Sequence, residues 1–215
     1  MDTRLTELSQ WASGHFVQSG QPKLAPADFV VVSDDASFRR YYRCPKLARS
    51  MVFMDAPPEK EPIIDFLAIG KALSAAGLPA PDFFAVEVDA GFLALSDFGD
   101  QQLLSVVQDH PEAVLSTLSE VMGHLNQVAR VDCALPDYSE SLLRAEMDLF
   151  PTWYLTNLLG LTLTDAFWSV WADVCDRLVA SALSEPQVFV HRDFHSRNIM
   201  VPSTGEIGLL DFQDA

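Results

Sequence analysis

Three oxygen-bearing side chains fall within one short stretch of the chain, QVFVHRDFHSRNIMVPSTGEIGLLDFQD at 187–214. They are Asp193, Asn198 after four intervening residues, and Asp211. Transfer of a phosphoryl group to a hydroxyl needs such a set. One carboxylate must orient the attacking hydroxyl and take its proton, while hard oxygen ligands hold Mg²⁺ against the phosphates. The elements that must position them are legible locally. Residues 187–191 alternate and are β-rich, predicting a short strand. A polar loop covers 191–198, a second strand 199–201, and Pro202-Ser203-Thr204-Gly205 has turn composition. A third strand over 207–210 then delivers Asp211. The competing structural reading is a polar β-hairpin whose Asp and Asn side chains merely stabilise turns.

His191-x-Asp193-x-x-x-x-Asn198, followed by Asp211-Phe212-Gln213, resembles the catalytic loop and metal-binding segment of the aminoglycoside phosphotransferase and choline kinase group. The resemblance implies an α+β, bilobal protein-kinase-like fold, with Asp193 as catalytic base and Asn198 and Asp211 as magnesium ligands. Asp97-Phe98-Gly99 spells the kinase metal tripeptide literally, but it precedes the catalytic loop, whereas the fold requires that it follow. Asp211 is therefore the expected ligand.

Bulk composition narrows the class. A chain of 215 residues with 49% hydrophobic content can bury a core, as one domain or two small lobes. A net charge of −16 argues against nucleic acid and anionic membrane surfaces as partners. Cys44, Cys133 and Cys175 are far apart, odd in number and without metal-ligand spacing, as in a cytoplasmic protein with reduced thiols. No apolar signal core opens the chain, and no run reaches membrane-spanning length.

The pattern divides into a β-rich front, 1–98, expected to bind nucleotide, and a helical back, 99–215, expected to carry the catalytic loop and metal site. A helix is predicted over 3–16, then strands over 29–33, 38–44 and 50–54. A helix follows from Glu61-Pro62 to about residue 76, with Gly77 after it. Two further strands, 81–88 and 92–95, flank an Asp89-Ala90-Gly91 hairpin turn. Helices are then expected over 101–108, 111–131, 140–150, 151–158 and 165–184. Val114, Leu118, Val121, Met122, Leu125 and Val128 form one apolar stripe, and Phe167, Val170, Trp171, Val174, Leu178 and Ala182 another.

Residues 36–50 carry five basic side chains, Arg39, Arg40, Arg43, Lys46 and Arg49, and no acidic one. In so acidic a chain, this local reversal suggests an anionic ligand. The preceding Ser33-Asp34-Asp35-Ala36-Ser37 lies where the kinase fold covers the nucleotide phosphates, so Ser37 is a nucleotide-binding candidate. Strand alternation puts Ser37, Arg39 and Tyr41 on one face and Phe38, Arg40 and Tyr42 on the other, and Arg39 is the preferred phosphate partner. A solvated basic hairpin is the alternative. The third strand, Met51-Val52-Phe53-Met54-Asp55, lacks the lysine that protein kinases pair with a glutamate of the next helix. By resemblance, backbone groups around Ser96, Asp97 and Phe98 recognise adenine at the hinge between lobes.

Four further stretches look together like bacterial anomeric sugar kinases. They are Asp35-Ala36-Ser37-Phe38-Arg39-Arg40-Tyr41, Met54-Asp55-Ala56-Pro57-Pro58, Phe150-Pro151-x-Trp153-Tyr154 and Leu210-Asp211-Phe212-Gln213-Asp214-Ala215. Enzymes of that group use ATP to phosphorylate N-acetylmuramate and N-acetylglucosamine at C1 in cell-wall recycling. The alternatives are an aminoglycoside or other small-alcohol kinase, and an inactive nucleotide-binding fragment. The last arises because the resembled family continues with further helices, so the helical lobe reads as truncated. His195, Arg197 and Asp214 are secondary candidates for contact with substrate or support of the site.

Overall fold

Asp2 starts the first element, its carboxylate accepting from the Leu5 N–H (3.0 Å) and so capping helix α1, Thr3–Phe16. The computed structural model describes residues 2–18, 21–33, 38–109, 111, 114–202 and 207–214. By packing, the chain forms one unit from Met1–Cys133 with Phe189–Ala215, and a second from Ala134–Val188.

The first unit is built on a five-stranded antiparallel sheet. Its strands are β1 (Val30–Ser33), β2 (Arg40–Arg43), β3 (Met51–Asp55), β4 (Phe83–Glu87) and β5 (Phe92–Ser96), in spatial order β1-β2-β3-β5-β4. The sequence places all five, and the β4–β5 turn closes at Gly91 as expected. Gly91 has φ +71, and a Cβ there would lie 1.8 Å from the Ala56 carbonyl oxygen, so this turn requires glycine.

Period-two alternation on β2 and β3 decides what each face touches. Tyr42 and Phe53 point under α1 into a core with Leu8, Ala12 and Phe29. The Phe53 ring meets Phe29 edge-on at 5.4 Å and Phe16 at 5.7 Å. Asp55 lies on that same face, fully buried. It accepts from Arg4 of α1 (2.7 Å) and Arg40 of β2 (3.1 Å), and Arg40 also pairs with Asp2. One carboxylate thus fastens α1 to the sheet.

Helix α2, Ile64–Ala75, starts three residues past the Glu61 predicted to open it and buries Phe66, Ile69 and Leu73. Gly70 lies against the Phe83 and Phe212 rings, where a Cβ would meet Phe83 at 2.6 Å. Helices α3 (Leu103–Asp109) and α4 (Val114–Val128) follow, and then the short strands β6 (Ile199–Met200) and β7 (Gly208–Leu209) pair antiparallel. The α4 stripe is narrower than expected. Val121 and Val128 are buried, whereas Leu118, Met122 and Leu125 are exposed. The predicted strand over 187–191 does not form, since it has no ladder partner among the described residues. Its alternation is nonetheless real as burial, with Phe189 and His191 inside and Val188 and Val190 out.

In the second unit, Ser139 caps α5 (Glu140–Met147) and Thr164 caps α6 (Asp165–Leu183) through side-chain oxygens. Arg144 joins them by pairing with Glu140 (2.8 Å) and Asp176 (2.6 Å). The helix predicted over 151–158 is a π-helical segment, Phe150–Leu158. On α6, Cys175 and Val179 are the buried positions, while Val170, Val174 and Leu178 of the expected stripe are exposed. No helix among the described residues is long and apolar enough to cross a membrane.

Replacing Asp55 with alanine would leave Arg4 and Arg40 without their common acceptor. We expect a loss of about 3 kcal/mol, read as a lower urea midpoint at unchanged slope. A change below about 0.5 kcal/mol would show these pairs to be solvent-screened and dispensable.

Candidate active site

The loop over 191–198 is held by short backbone bonds within itself. Asp193 N–H donates to the His191 carbonyl (2.8 Å), His195 N–H to Asp193 (3.0 Å) and Asn198 N–H to His195 (3.0 Å). Arg192 turns the chain with φ 64, a conformation uncommon for a residue with a side chain. His191 lies buried beneath, edge-on to Phe194 at 5.5 Å, and its burial pushes the imidazole pKa down. This fits a bracing role.

The loop and the hairpin that follows are docked to the rest of their unit through main-chain bonds. Leu104 N–H donates to Ser196 (2.9 Å), Val201 N–H to Gln101 (2.8 Å) and Leu209 N–H to Pro79 (2.8 Å). Leu210 N–H donates to the Asn198 carbonyl (2.9 Å), which fixes the end of the loop against the end of β7. The next residue, Asp211, has φ 60. That bend lets Phe212 turn inward, fully buried and stacked on Phe66 of α2 at 4.9 Å, while Asp211 remains at the cleft.

The Asn198 side-chain nitrogen donates to the Asp193 carboxylate (2.8 Å), the Asp193 carbonyl (3.1 Å) and the Asp211 carboxylate (3.3 Å). Gln213 donates to the other Asp211 oxygen (2.6 Å). His195 Nδ1 accepts from the Arg197 N–H (3.2 Å), so the ring proton sits on Nε2, which faces Asp193 at 3.2 Å. Asp193 therefore has two side-chain neighbours that orient it, and Asp211 also has two.

These residues line a cleft of about 570 Å³, within the usual range for small-molecule sites. Asp193, His195, Arg197, Asn198 and Asp211 meet there with Ser96, Asp97 and Phe98. The structure so brings together eight of the residues singled out from sequence. Three stand apart. Arg39 does not line the cleft and pairs with Glu61 (2.8 Å), which also holds the Phe38 N–H (3.4 Å). Asp214 accepts from Arg192 through its carbonyl (2.8 Å) and does not line the cleft. Ser37 lies outside the described residues.

For a hard cation, the available donors are the Asp211 carboxylate and the Asn198 side-chain carbonyl, whose amide nitrogen carries the bonds just described. Among the described residues, no cluster of three His, Cys, Asp or Glu side chains could hold a metal. Two oxygen donors with the remaining positions left to phosphate and water suit Mg²⁺, which dehydrates reluctantly, so the residues present fit that ion.

Arg43 is the cleft residue whose role sequence reasoning missed. Its guanidinium grips the Asp97 carboxylate with two bonds of 2.7 Å, donates to the Gly99 carbonyl (2.9 Å) and pairs with Asp100. Ser50 and the Gly99 N–H (2.9 Å) also donate to Asp97. Strand alternation extended by one more step would have put Arg43 on the face of Arg39 and Tyr41; its acidic partners were invisible locally. The same holds for the whole basic tract, in which Lys46 pairs with Asp28 (2.7 Å) and Arg49 covers the Phe84 ring. Gln213, which steadies Asp211, was also unassigned.

The sequence profile of the phosphotransferase enzyme family matches residues 28–215. The chain is similar to the N-acetylmuramate/N-acetylglucosamine kinase of Pseudomonas aeruginosa, with 41% identity over 220 residues, covering all of this chain and 64% of that relative. The chain thus spans a little under two thirds of the length of this curated relative. In fold it is similar to the ADP-bound aminoglycoside phosphotransferase APH(2'')-Ib (TM-score 0.65, 14% identity, covering 100% of this chain and 71% of that one). It is also similar to a choline/ethanolamine kinase family protein of Mesorhizobium loti (TM-score 0.61, 10% identity, covering 97% and 65%). The α+β, kinase-like architecture expected from the sequence is therefore the observed one.

Asp97 carries a pH dependence. Burial alone would push its carboxyl up, but the Arg43 guanidinium, the Ser50 hydroxyl and the Gly99 amide outweigh it and hold it below the usual carboxylate range. A carboxyl depressed by folding stabilises the fold above its unfolded pKa of about 3.9, and loses that contribution as pH falls through the lower folded value. The stability difference between the wild type and Asp97→Asn should be constant above about pH 5 and shrink below about pH 4. Denaturant titrations at stepped pH measure it, and a difference that does not vary with acid would refute the assignment.

Proposed function

Because the chain belongs to the phosphotransferase enzyme family, we propose that it takes part in moving the γ-phosphoryl group of ATP to the anomeric hydroxyl of an amino sugar, N-acetylmuramate or N-acetylglucosamine. The observation that carries this reading is the Asn198 amide holding Asp193 and Asp211 together in an open cleft. Such a reaction fits the cytoplasm, where ATP is available, and the recycling of cell-wall sugars.

Asp193 accepts the hydrogen bond of the sugar hydroxyl, and Asn198 and His195 fix the carboxylate in the orientation that reaction needs. As the hydroxyl oxygen bonds to the γ-phosphorus, the bond to the bridging oxygen breaks, ADP departs and Asp193 receives the proton. Asn198 and Asp211 would hold Mg²⁺, which when bound draws charge from the phosphates. The adenine is placed against the backbone of Ser96, Asp97 and Phe98, a segment Arg43 holds in one shape. Ser37 belongs to the 33–37 segment expected to cover the phosphates, and Arg39, which follows it in the chain, pairs with Glu61. Arg39 would exchange Glu61 for phosphate, in place of the strand lysine this chain lacks.

Transfer of labelled phosphate from ATP to N-acetylmuramate, N-acetylglucosamine and kanamycin tests the reading. We expect labelling of the first two. Labelling of kanamycin alone would overturn the choice of acceptor. Asp193→Ala should lower transfer by at least about a thousandfold while leaving nucleotide affinity within a few-fold. A variant that keeps most of its rate would remove Asp193 from the base role.

A further inference from the structure

Charge in the cleft is one-sided. Asp97, Asp100, Asp193 and Asp211 all line it, against the side-chain cations Arg43 and Arg197. Arg43 is committed, since Asp97 and Asp100 both hold it. Arg197 differs. It lies on the catalytic loop between Asp193 and Asn198, and among the described residues no carboxylate pairs with its guanidinium. The main chain at this residue is nevertheless fixed, because its N–H donates to the same His195 ring whose other nitrogen faces Asp193. One imidazole therefore spaces the Arg197 backbone from the Asp193 carboxylate, and so from the point where the acceptor hydroxyl must lie.

The two sugars of the proposed reaction differ in charge. N-acetylmuramate carries a carboxylate on its ether-linked lactyl group, and N-acetylglucosamine is neutral. A cleft in which aspartates outnumber arginines, even after Arg43 is paired, repels the acidic sugar unless a cation meets it. A guanidinium matches a carboxylate with two parallel hydrogen bonds, and it is the group left for the task. We propose that Arg197 is the specificity residue that recognises the lactyl carboxylate of N-acetylmuramate. This inference rests on the amino-sugar kinase reading above. The rival role for Arg197 is contact with the transferred phosphoryl group, which both acceptors share.

The test compares kcat/KM for the two sugars in the wild type, Arg197→Ala and Arg197→Lys. For Arg197→Ala, the ratio of N-acetylmuramate to N-acetylglucosamine should fall at least about tenfold, mostly through KM for N-acetylmuramate. Arg197→Lys keeps a point charge without the fork and should retain an intermediate ratio. In the wild type, added salt should raise KM for the acidic sugar more than for the neutral one. A ratio unchanged within about twofold overturns the inference, whether both activities fall together, as phosphoryl contact predicts, or neither falls. A wild-type chain that labels neither sugar overturns the amino-sugar reading and this inference with it, so the two failures are distinguishable.

Discussion

Two carboxylates in one cleft repel each other, and at this site a single amide nitrogen makes their proximity tolerable. Asn198 donates to both Asp193 and Asp211, and the donor is itself pinned because its backbone carbonyl accepts from Leu210. The rest of the first unit serves that arrangement. The β6–β7 hairpin fixes the distance along the chain between the two aspartates, and its bonds to residues 79 and 101, with that of Ser196 to residue 104, fix where it sits. Residues 192 and 211 both adopt positive φ despite carrying side chains. Each such bend costs on the order of 1 kcal/mol or more, and it persists only where surrounding packing over-determines it. At Asp211 the compensation is visible in Phe212, whose ring is buried and stacked against Phe66.

Burial of Phe212 ties the site to α2 and, through the sheet, to α1. A second polar system holds that far face. Asp55 joins Arg4 to Arg40, so the acidic chain uses several of its few cations internally. The surplus of aspartate and glutamate in the composition is thus not spread evenly. Cations sit where two elements must be joined, and the cleft is left acidic. An acidic cleft suits a magnesium-bearing nucleotide better than a bare anion.

What could be read in the sequence follows from the range of the forces involved. Strand alternation and the Gly91 turn are settled within a few residues, and the structure matches them closely. The Asp193, Asn198 and Asp211 triplet was legible because a hairpin brings it together locally. Partner-dependent features were not legible. A strand needs a neighbour, and 187–191 has the alternation of one but no ladder among the described residues. The basic tract suggested a ligand because its counter-ions, Asp28, Asp55, Glu61 and Asp97, come from both sides of it in the chain. Apolar periodicity overstated the buried faces of α4 and α6, since it marks which residues share a stripe and not how much of it is covered.

The chain writes Asp-Phe twice in this cleft, at 97–98 and 211–212, and the two pairs show why a motif must be read with its neighbours. At Asp97, a bidentate arginine, a serine hydroxyl and a main-chain amide take up the carboxylate. That aspartate shapes the segment that follows β5, and its charge is balanced by Arg43. The side-chain donors at Asp211 are instead the neutral amides of Asn198 and Gln213, which hold the carboxylate in place without cancelling its charge. An uncancelled, oriented carboxylate is what a divalent cation requires. Order along the sequence and local electrostatics therefore favour the same aspartate for the proposed metal-binding role, by independent routes.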